Sequence, residues 1–187
     1  MNNDRILINK LKSFENINST LLNILLVLFG TLLLAISAKV QVPFWPVPMT
    51  MQTFVVFILG MSYGFSFGSY TVISYLLLGA IGLPVFAKGG GLLYLTGPTA
   101  GYLYGMALAA AVIGFFADRG YAKSYIKSFI AIILGTIVIF SLGVGYLGSI
   151  IGFNKALAGG LYPFVFSEAF KIALAVAIIP TIFRLTK

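Results

Sequence analysis

Two ionisable residues, Glu168 and Lys171, lie inside the last long apolar run of the chain. They are three positions apart, so an α-helix places both side chains on nearly the same face. Ionisable groups within a membrane are costly and are for that reason candidates for function. The pair offers one hydrogen-bond acceptor and one donor to a polar solute. The alternative is an internal ion pair that neutralises itself and helps the helices to pack.

The composition assigns the chain to a membrane before any motif is considered. Charged residues make up 9% of the 187 positions and hydrophobic residues 60%, whereas soluble domains contain about 25% charged residues. Several apolar runs are long enough to cross about 30 Å of hydrocarbon. The many Phe and Leu residues favour helices over a β-barrel, whose strands would alternate polar and apolar residues. The sequence therefore predicts an all-α membrane protein.

Two residue types that many catalytic and metal sites require are absent from the sequence. The chain contains no Cys and no His, which excludes thiolate and imidazole metal sites, Cys nucleophiles and His general bases. A single carboxylate inside the membrane cannot assemble a multi-carboxylate metal site. The glycines at 89–91 lack the GxxxxGK[ST] pattern of a phosphate-binding loop. We expect a protein that is not an enzyme, uses no metal or cofactor, and cannot hydrolyse ATP alone.

Six apolar runs predict a bundle of six transmembrane helices in one domain, residues 20–187. Residues 1–19 are more polar and predict a cytoplasmic or interfacial N-terminal segment. Segments 39–51 and 83–98 are rich in Pro and Gly and are not expected to form regular helix. A Gly-rich loop is expected around Asn154 and Lys155. The predicted spans are 20–38, 52–63, 68–81, 99–117, 129–147 and 162–183.

Basic residues sort unevenly between the two sides of this bundle. The net charge is +8, but the basic residues are dispersed among loops, which indicates membrane topology rather than nucleic-acid binding. Basic residues are enriched in cytoplasmic loops, so both termini are expected in the cytoplasm of a plasma-membrane protein. The Pro- and Gly-rich loops would then roof an outward pocket whose floor is the charged pair. One side holds Arg5, Lys10, Lys12, Arg119, Lys123, Lys127, Arg184 and Lys187, and the other holds Lys39, Lys88 and Lys155.

The first span carries a stripe of small residues, Thr31, Ala35 and Ala38. Such a stripe allows another helix to approach closely. The second helix belongs either to a partner protein or to the same bundle, and the spacing does not separate these two interpretations.

Two functional classes remain open from the residues alone. One is a solute-binding component that depends on a partner for energy. The other is an ion-coupled secondary transporter of a small polar solute, with Glu168 as the proton carrier. Inverted repeats would support the secondary transporter, and the sequence contains no convincing one.

Three blocks of the sequence resemble signature segments of the BioY family. They read VPFWPVPMTMQT at 42–53, YLLLGAIGLPVFA at 75–87 and GPTAGYL at 97–103. That family comprises the biotin-binding S components of energy-coupling factor (ECF) transporters. The resemblance implies a six-helix membrane protein that captures biotin from outside. It also implies three partners, namely a transmembrane coupling protein and two cytoplasmic ABC-type ATPases.

The resemblance also implies a binding site. The family carries Asp followed three positions later by Lys; here Glu168 stands at the acidic position and Lys171 is kept. Glu168 is expected to accept from a ureido N–H of biotin, and Lys171 to donate to the ureido carbonyl. Further candidates are Phe86 and Tyr94 as apolar walls, Gln52 as a polar contact, Gly91 and Gly97 as close backbone approaches, and Lys88 as partner of the carboxylate. Their plainer alternatives are bundle packing, turn glycines and a solvated lysine.

Two further positions correspond to the family's contact with the coupling protein, and two others differ from the family pattern. Thr31 and Ala35 correspond to the family's AxxxA contact with the coupling protein, with Thr in the first position. Ala100 stands where the family usually has Gly, and Lys39 where Gln is common.

Overall fold

The computed structural model describes residues 19–185, so the predicted N-terminal segment, apart from its last residue, and Lys187 lie outside the described part. The helices are α1 (Ser19–Lys39), α2 (Gln52–Ala80), α3 (Ala100–Ala117), α4 (Tyr125–Ile151), α5 (Phe153–Gly160) and α6 (Val165–Leu185). Strands β1 (Gln41–Val42) and β2 (Met49–Thr50) pair antiparallel between α1 and α2. Short 3₁₀ helices span Leu92–Thr96, Tyr121–Lys123 and Tyr162–Phe164.

Within residues 19–185, five helical elements are long and apolar enough to cross a bilayer, where six spans were predicted. They are Thr20–Lys39, Gln52–Ala80, Ala100–Ala117, Tyr125–Ile151 and Phe153–Leu185. The difference lies in α2, which contains both predicted spans 52–63 and 68–81. It is interrupted at Gly64, whose φ of 76° and ψ of −172° are not helical.

Gly64 reverses the chain, so α2 is a helical hairpin. Its positive φ is a conformation that glycine adopts without steric cost. Near the turn, a Cβ on Gly68 would lie 3.4 Å from the Cα of Gly60. Far from the turn, Gln52 Nε2 donates to Tyr75 Oη at 2.7 Å. In one straight helix these two residues would be about 35 Å apart at 1.5 Å per residue, so the two arms lie side by side.

Contacts divide the structure into two ends. At one end the hairpin turn meets the end of α3, because the Phe65 N–H donates to Asp118 Oδ2 at 3.2 Å. The start of α4 meets α6 there, with Tyr125 Oη 3.1 Å from Thr181 Oγ1. The opposite end holds β1, β2, the segment 81–99 and α5. The irregular segments predicted from Pro and Gly therefore gather at a single end.

Three predicted boundaries are wrong. The Gly-rich loop expected around Asn154 and Lys155 is the helix α5, because Gly152, with a φ of 87°, ends α4 and a new helix begins at once. α4 is four residues longer at each end than the predicted 129–147. The last span begins as a 3₁₀ turn, and regular helix starts only at Val165.

The core is formed mainly by α2 and α3, and α1 is peripheral. Within their most apolar windows, 61% of α2 and of α3 is buried, against 28% of α1. α1 therefore presents most of its apolar side chains outward. Its exposed residues include Leu25, Leu28, Phe29, Leu32 and Ile36.

The hairpin turn depends on a close backbone approach by α3, which generates a stability prediction. A Cβ on Gly114 would lie 2.5 Å from the carbonyl carbon of Gly64 and from the nitrogen of Phe65. Gly114→Ala is therefore expected to destabilise the protein by about 1–3 kcal/mol, as overpacking does. Gly145→Ala in α4 is the matched control, because a Cβ there meets nothing within 4 Å. Thermal unfolding in detergent, followed by the fluorescence of the single Trp, measures both. Equal unfolding temperatures for the two variants would contradict the packing described.

Candidate ligand-binding site

A buried pocket, here the inner pocket, lies beneath the irregular segments and is enclosed by α2, α3, α4 and α6. Its volume is about 40 Å³, room for roughly three water molecules. The walls are mostly apolar, and Glu168 and Lys171 are the charged residues that reach it. The lining residues are Val47, Pro48, Thr50, Gln52, Thr53, Phe86, Ala87, Tyr94, Thr99, Tyr102, Leu103, Met106, Ile139, Phe140, Phe164, Glu168 and Lys171.

The two charged side chains form a buried ion pair. Glu168 is 4% exposed and Lys171 is 3% exposed, and Lys171 Nζ lies 2.7 Å from Glu168 Oε1. Lys171 Nζ also donates to the Thr50 carbonyl at 2.6 Å and to Thr53 Oγ1 at 3.2 Å. An ammonium group has three N–H donors, so all of them have partners within the protein.

Glu168 has one acceptor to spare. Its Oε1 accepts from Lys171 and from the Thr53 hydroxyl, the latter at 2.9 Å. Its Oε2 is buried and has no hydrogen-bond partner among residues 19–185. An unsatisfied buried acceptor costs about 1–3 kcal/mol. A ligand that donates a hydrogen bond to Oε2 would recover this cost, whereas a bond from Lys171 to a ligand would require exchange of an existing one.

The local sequence explains how these groups meet. Glu168 lies in the first turn of α6, where the helix dipole favours a negative charge. Thr50 ends β2, and Thr53 lies in the first turn of α2. The β1–β2 hairpin thus delivers the Thr50 carbonyl and the Thr53 hydroxyl to the same point opposite α6.

Gln52 both lines the inner pocket and braces α2, so the two interpretations offered for it coexist. The Thr50 hydroxyl donates to Gln52 Oε1 at 3.1 Å, and Gln52 Nε2 donates to Tyr75 Oη at 2.7 Å. Tyr75 donates in turn to the carbonyl of Val85 at 3.1 Å. The network runs from the neighbourhood of the ion pair to the segment after α2.

Aromatic side chains form two walls of the inner pocket. On one side Phe86 stacks on Tyr94 with ring centroids 4.8 Å apart. On the other side Tyr102, Phe140 and Phe164 contact one another at centroid distances of 5.9–6.5 Å. Aromatic faces of this kind provide apolar contact surface for a ligand.

Sequence reasoning missed several residues of this site, among them Thr50, Thr53, Tyr102, Phe140 and Phe164. Thr53 and Tyr102 lie inside the blocks 42–53 and 97–103, which was a usable signal. The sequence contained no signal for Phe140 and Phe164. It has 17 phenylalanines spread along the chain, and their spacing does not distinguish a residue that lines a pocket from one that packs between helices.

A second depression, here the outer groove, lies beside the inner pocket and has a volume of about 350 Å³. Pro48, Tyr94 and Thr99 line both cavities, so the inner pocket and the outer groove adjoin each other. Lys88 is the charged residue of the outer groove, and Gly97 also lines it. Gly91 lines neither cavity. Its φ is 100° and its N–H donates to the Gly79 carbonyl at 2.7 Å. Gly91 is therefore a turn glycine, the plainer of the two interpretations given for it.

The small-residue stripe on α1 lies mostly inside the protein. Thr31 and Ala38 are buried, and the Thr31 hydroxyl donates to the Thr71 carbonyl of α2 at 3.3 Å. Ala35 is half-buried at the edge of this contact. For Thr31 and Ala38 the contacts favour packing within the bundle, while Ala35 remains partly accessible.

Known proteins share both sequence and fold with the chain. It is 40% identical over 151 residues to a biotin transporter BioY of Thermotoga maritima, covering 79% of this chain and 88% of that protein. It is 32% identical over 171 residues to the biotin transporter BioY2 of Lactococcus lactis, covering 90% and 91%. The crystal structure of an S-component for biotin from an ECF-type ABC transporter superposes with a TM-score of 0.79 at 26% identity, covering 91% and 95%. The BioY family model matches residues 10–187, and the chain therefore belongs to the BioY family.

Proposed function

We propose that the protein is the biotin-binding S component of an ECF-type transporter and captures biotin in the inner pocket. The observation that carries this proposal is the buried, unpartnered Oε2 of Glu168, a residue that lines the inner pocket together with two groups of aromatic side chains. The names of the relatives from Thermotoga and Lactococcus support the choice of ligand. The ion-coupled alternative has no observation in its favour.

The chemistry of biotin matches the order of groups along the site. A ureido N–H donates to Glu168 Oε2 at the inner end. The apolar thiophane ring lies between Phe86 with Tyr94 and the facing Tyr102 with Phe164. The tail carboxylate points towards the outer groove and Lys88. Gln52 and Gly97 complete the predicted site, the first by bracing the inner wall and the second by lining the groove.

The proposed topology places the chain in the plasma membrane with both termini in the cytoplasm. It has six crossings when the two arms of the α2 hairpin are counted separately. Lys39, Lys88 and Lys155 then lie outside with the binding site. Positive-inside topology supports this orientation, because Arg119, Lys123, Lys127 and Arg184 lie at the opposite end.

The proposed partners are a transmembrane coupling protein and two ABC-type ATPases. The absence of a phosphate-binding loop in the sequence supports a need for external ATP hydrolysis. α1 supplies the proposed docking surface, since its apolar side chains are largely exposed. Of Thr31, Ala35 and Ala38, we assign direct contact to Ala35 and a supporting role against α2 to the other two.

Biotin titration with variants of Glu168 tests the proposed ligand. Glu168→Gln should weaken binding at least tenfold, because a hydrogen bond to a charged group contributes about 1.5–3 kcal/mol. Glu168→Asp keeps the charge and should bind more tightly than Glu168→Gln. Isothermal titration of the purified protein in detergent measures all three constants. A folded wild-type protein that does not bind biotin would rule out the ligand and return the ion-coupled transporter to consideration.

Lys88 gives a second prediction about the carboxylate end. Lys88→Gln should weaken biotin binding by about threefold at low salt, since exposed ion pairs contribute at most about 1 kcal/mol. The difference should shrink as ionic strength rises. Lys155→Gln, an exposed lysine at the same end, is the control and should bind as the wild type does. Equal effects of the two variants would remove Lys88 from the site.

Docking on α1 gives the third prediction. Ala35→Leu adds bulk at the accessible edge of the stripe, so energised biotin uptake should fall to background while equilibrium binding is unchanged. Ala177→Leu, the same substitution at an exposed position of α6, is the control and should keep both activities. Transport is measured as uptake of labelled biotin by cells that also produce the coupling module. Binding is measured separately, by titration of the purified variants. Parallel loss of uptake and binding would mean that Ala35 is internal packing.

A further inference from the structure

Three consecutive carbonyls after α2 accept hydrogen bonds from side chains of three different elements. Tyr75 of α2 donates to the carbonyl of Val85 at 3.1 Å, and Lys39, the last residue of α1, donates to that of Phe86 at 2.6 Å. Gln41 of β1 donates to the carbonyl of Ala87 at 3.2 Å. Lys39, Gln41 and Tyr75 are here called the carbonyl clamp, and residues 85–88 the wall segment.

The wall segment borders both cavities of the site, beside Pro48, Tyr94 and Thr99, which line both. Phe86 and Ala87 line the inner pocket, and the next residue, Lys88, lines the outer groove. Phe86 is fully buried, and its ring lies directly on Gly79, where a Cβ would overlap it. These residues therefore form part of the boundary between the inner pocket and the outer groove.

Movement of a wall is required for any ligand larger than the inner pocket. The pocket holds about 40 Å³, the space of roughly three water molecules, and a bicyclic ligand exceeds that. The wall segment is flanked by Gly82 and Gly91, both with positive φ, and glycine tolerates large changes of backbone angle. The clamp supplies the side-chain hydrogen bonds that oppose such a change, in addition to the backbone bond from the Gly91 N–H to the Gly79 carbonyl.

We propose that the carbonyl clamp controls the opening of the wall segment, and that Lys39 is its dominant positioning residue. A bond from an ammonium to a carbonyl is stronger than one from a neutral amide or hydroxyl, and the bond from Lys39 is the shortest of the three. Lys39 ends α1, the proposed docking helix, so displacement of α1 would act on the wall directly. The identity of the ligand and the docking role of α1 rest on the proposed function; the opening itself does not.

Thiol labelling tests the clamp without any ligand. The chain has no Cys, so Ala87→Cys introduces a single thiol into the buried wall segment, and its reaction with a maleimide requires opening. Adding Lys39→Met should speed labelling about fivefold, because Lys39 is exposed and a hydrogen bond of this kind contributes about 1 kcal/mol net. Adding Lys155→Met, at an exposed lysine of the same end, should leave the rate unchanged. Equal rates in the two double variants would overturn the proposal.

A second thiol position separates local opening from general loss of structure. Ala131 lies in α4, is fully buried and lines none of the cavities described above. Ala131→Cys should label at the same slow rate with and without Lys39→Met. Acceleration at both Ala131→Cys and Ala87→Cys would mean that Lys39 stabilises the whole fold and would overturn its role in the wall.

Biotin kinetics complete the test. Lys39→Met should raise the association and dissociation rates of labelled biotin together, with a smaller change in the dissociation constant, and Lys39→Arg should restore slow exchange. Faster dissociation alone, with unchanged association, would overturn control of opening. If wild-type protein binds no biotin, the proposed function fails, whereas the labelling rates still decide the clamp.

Discussion

The structure depends on the burial of one carboxylate and one ammonium in an otherwise apolar bundle. Each charge alone would be too costly to bury, and even the pair requires further hydrogen bonds. Lys171 obtains them from the Thr50 carbonyl and the Thr53 hydroxyl. These two groups can be delivered only if the chain turns between α1 and α2 and returns opposite α6. The β1–β2 hairpin, with two residues in each strand, makes this turn between α1 and α2.

The same constraint extends outward through hydrogen bonds. Thr50 contacts Lys171 through its carbonyl and Gln52 through its hydroxyl. Gln52 donates a hydrogen bond to Tyr75, and Tyr75 donates one to the carbonyl of Val85. A buried polar group must be paired, so each member of this series specifies the position of the next. The polar interior of the protein is therefore a continuous network from the ion pair to the outer wall of the pocket, and the aromatic rings fill the space beside it.

Much of this organisation was predictable from the sequence, and the failures have a common cause. Composition indicated helices, and the intramembrane charges indicated the site, because both signals depend on the cost of polar groups in hydrocarbon. Glycine and small residues were ambiguous. Gly64 lies in the gap between the predicted spans 52–63 and 68–81, where the structure has the turn. The glycines around Asn154, by contrast, concealed the helix α5, and Gly91 forms a turn outside both cavities. Spacing locates a residue on an element but does not say what faces it, so the burial of Thr31 and Ala38 against α2 could not be separated from an external contact.

The pairing of charges also restricts which part of a ligand can reach the inner end of the pocket. Glu168 and Lys171 together are neutral, and the remaining capacity is one acceptor, Oε2. A cationic group placed there would leave an excess positive charge in the interior, and an anionic group would meet an unpartnered carboxylate oxygen; both are costly. A neutral N–H donor satisfies Oε2 without changing the charge. A ligand carrying both a neutral urea and a carboxylate must then bind with its urea inward and its carboxylate towards Lys88, so the polarity of the pocket determines the direction in which the ligand enters.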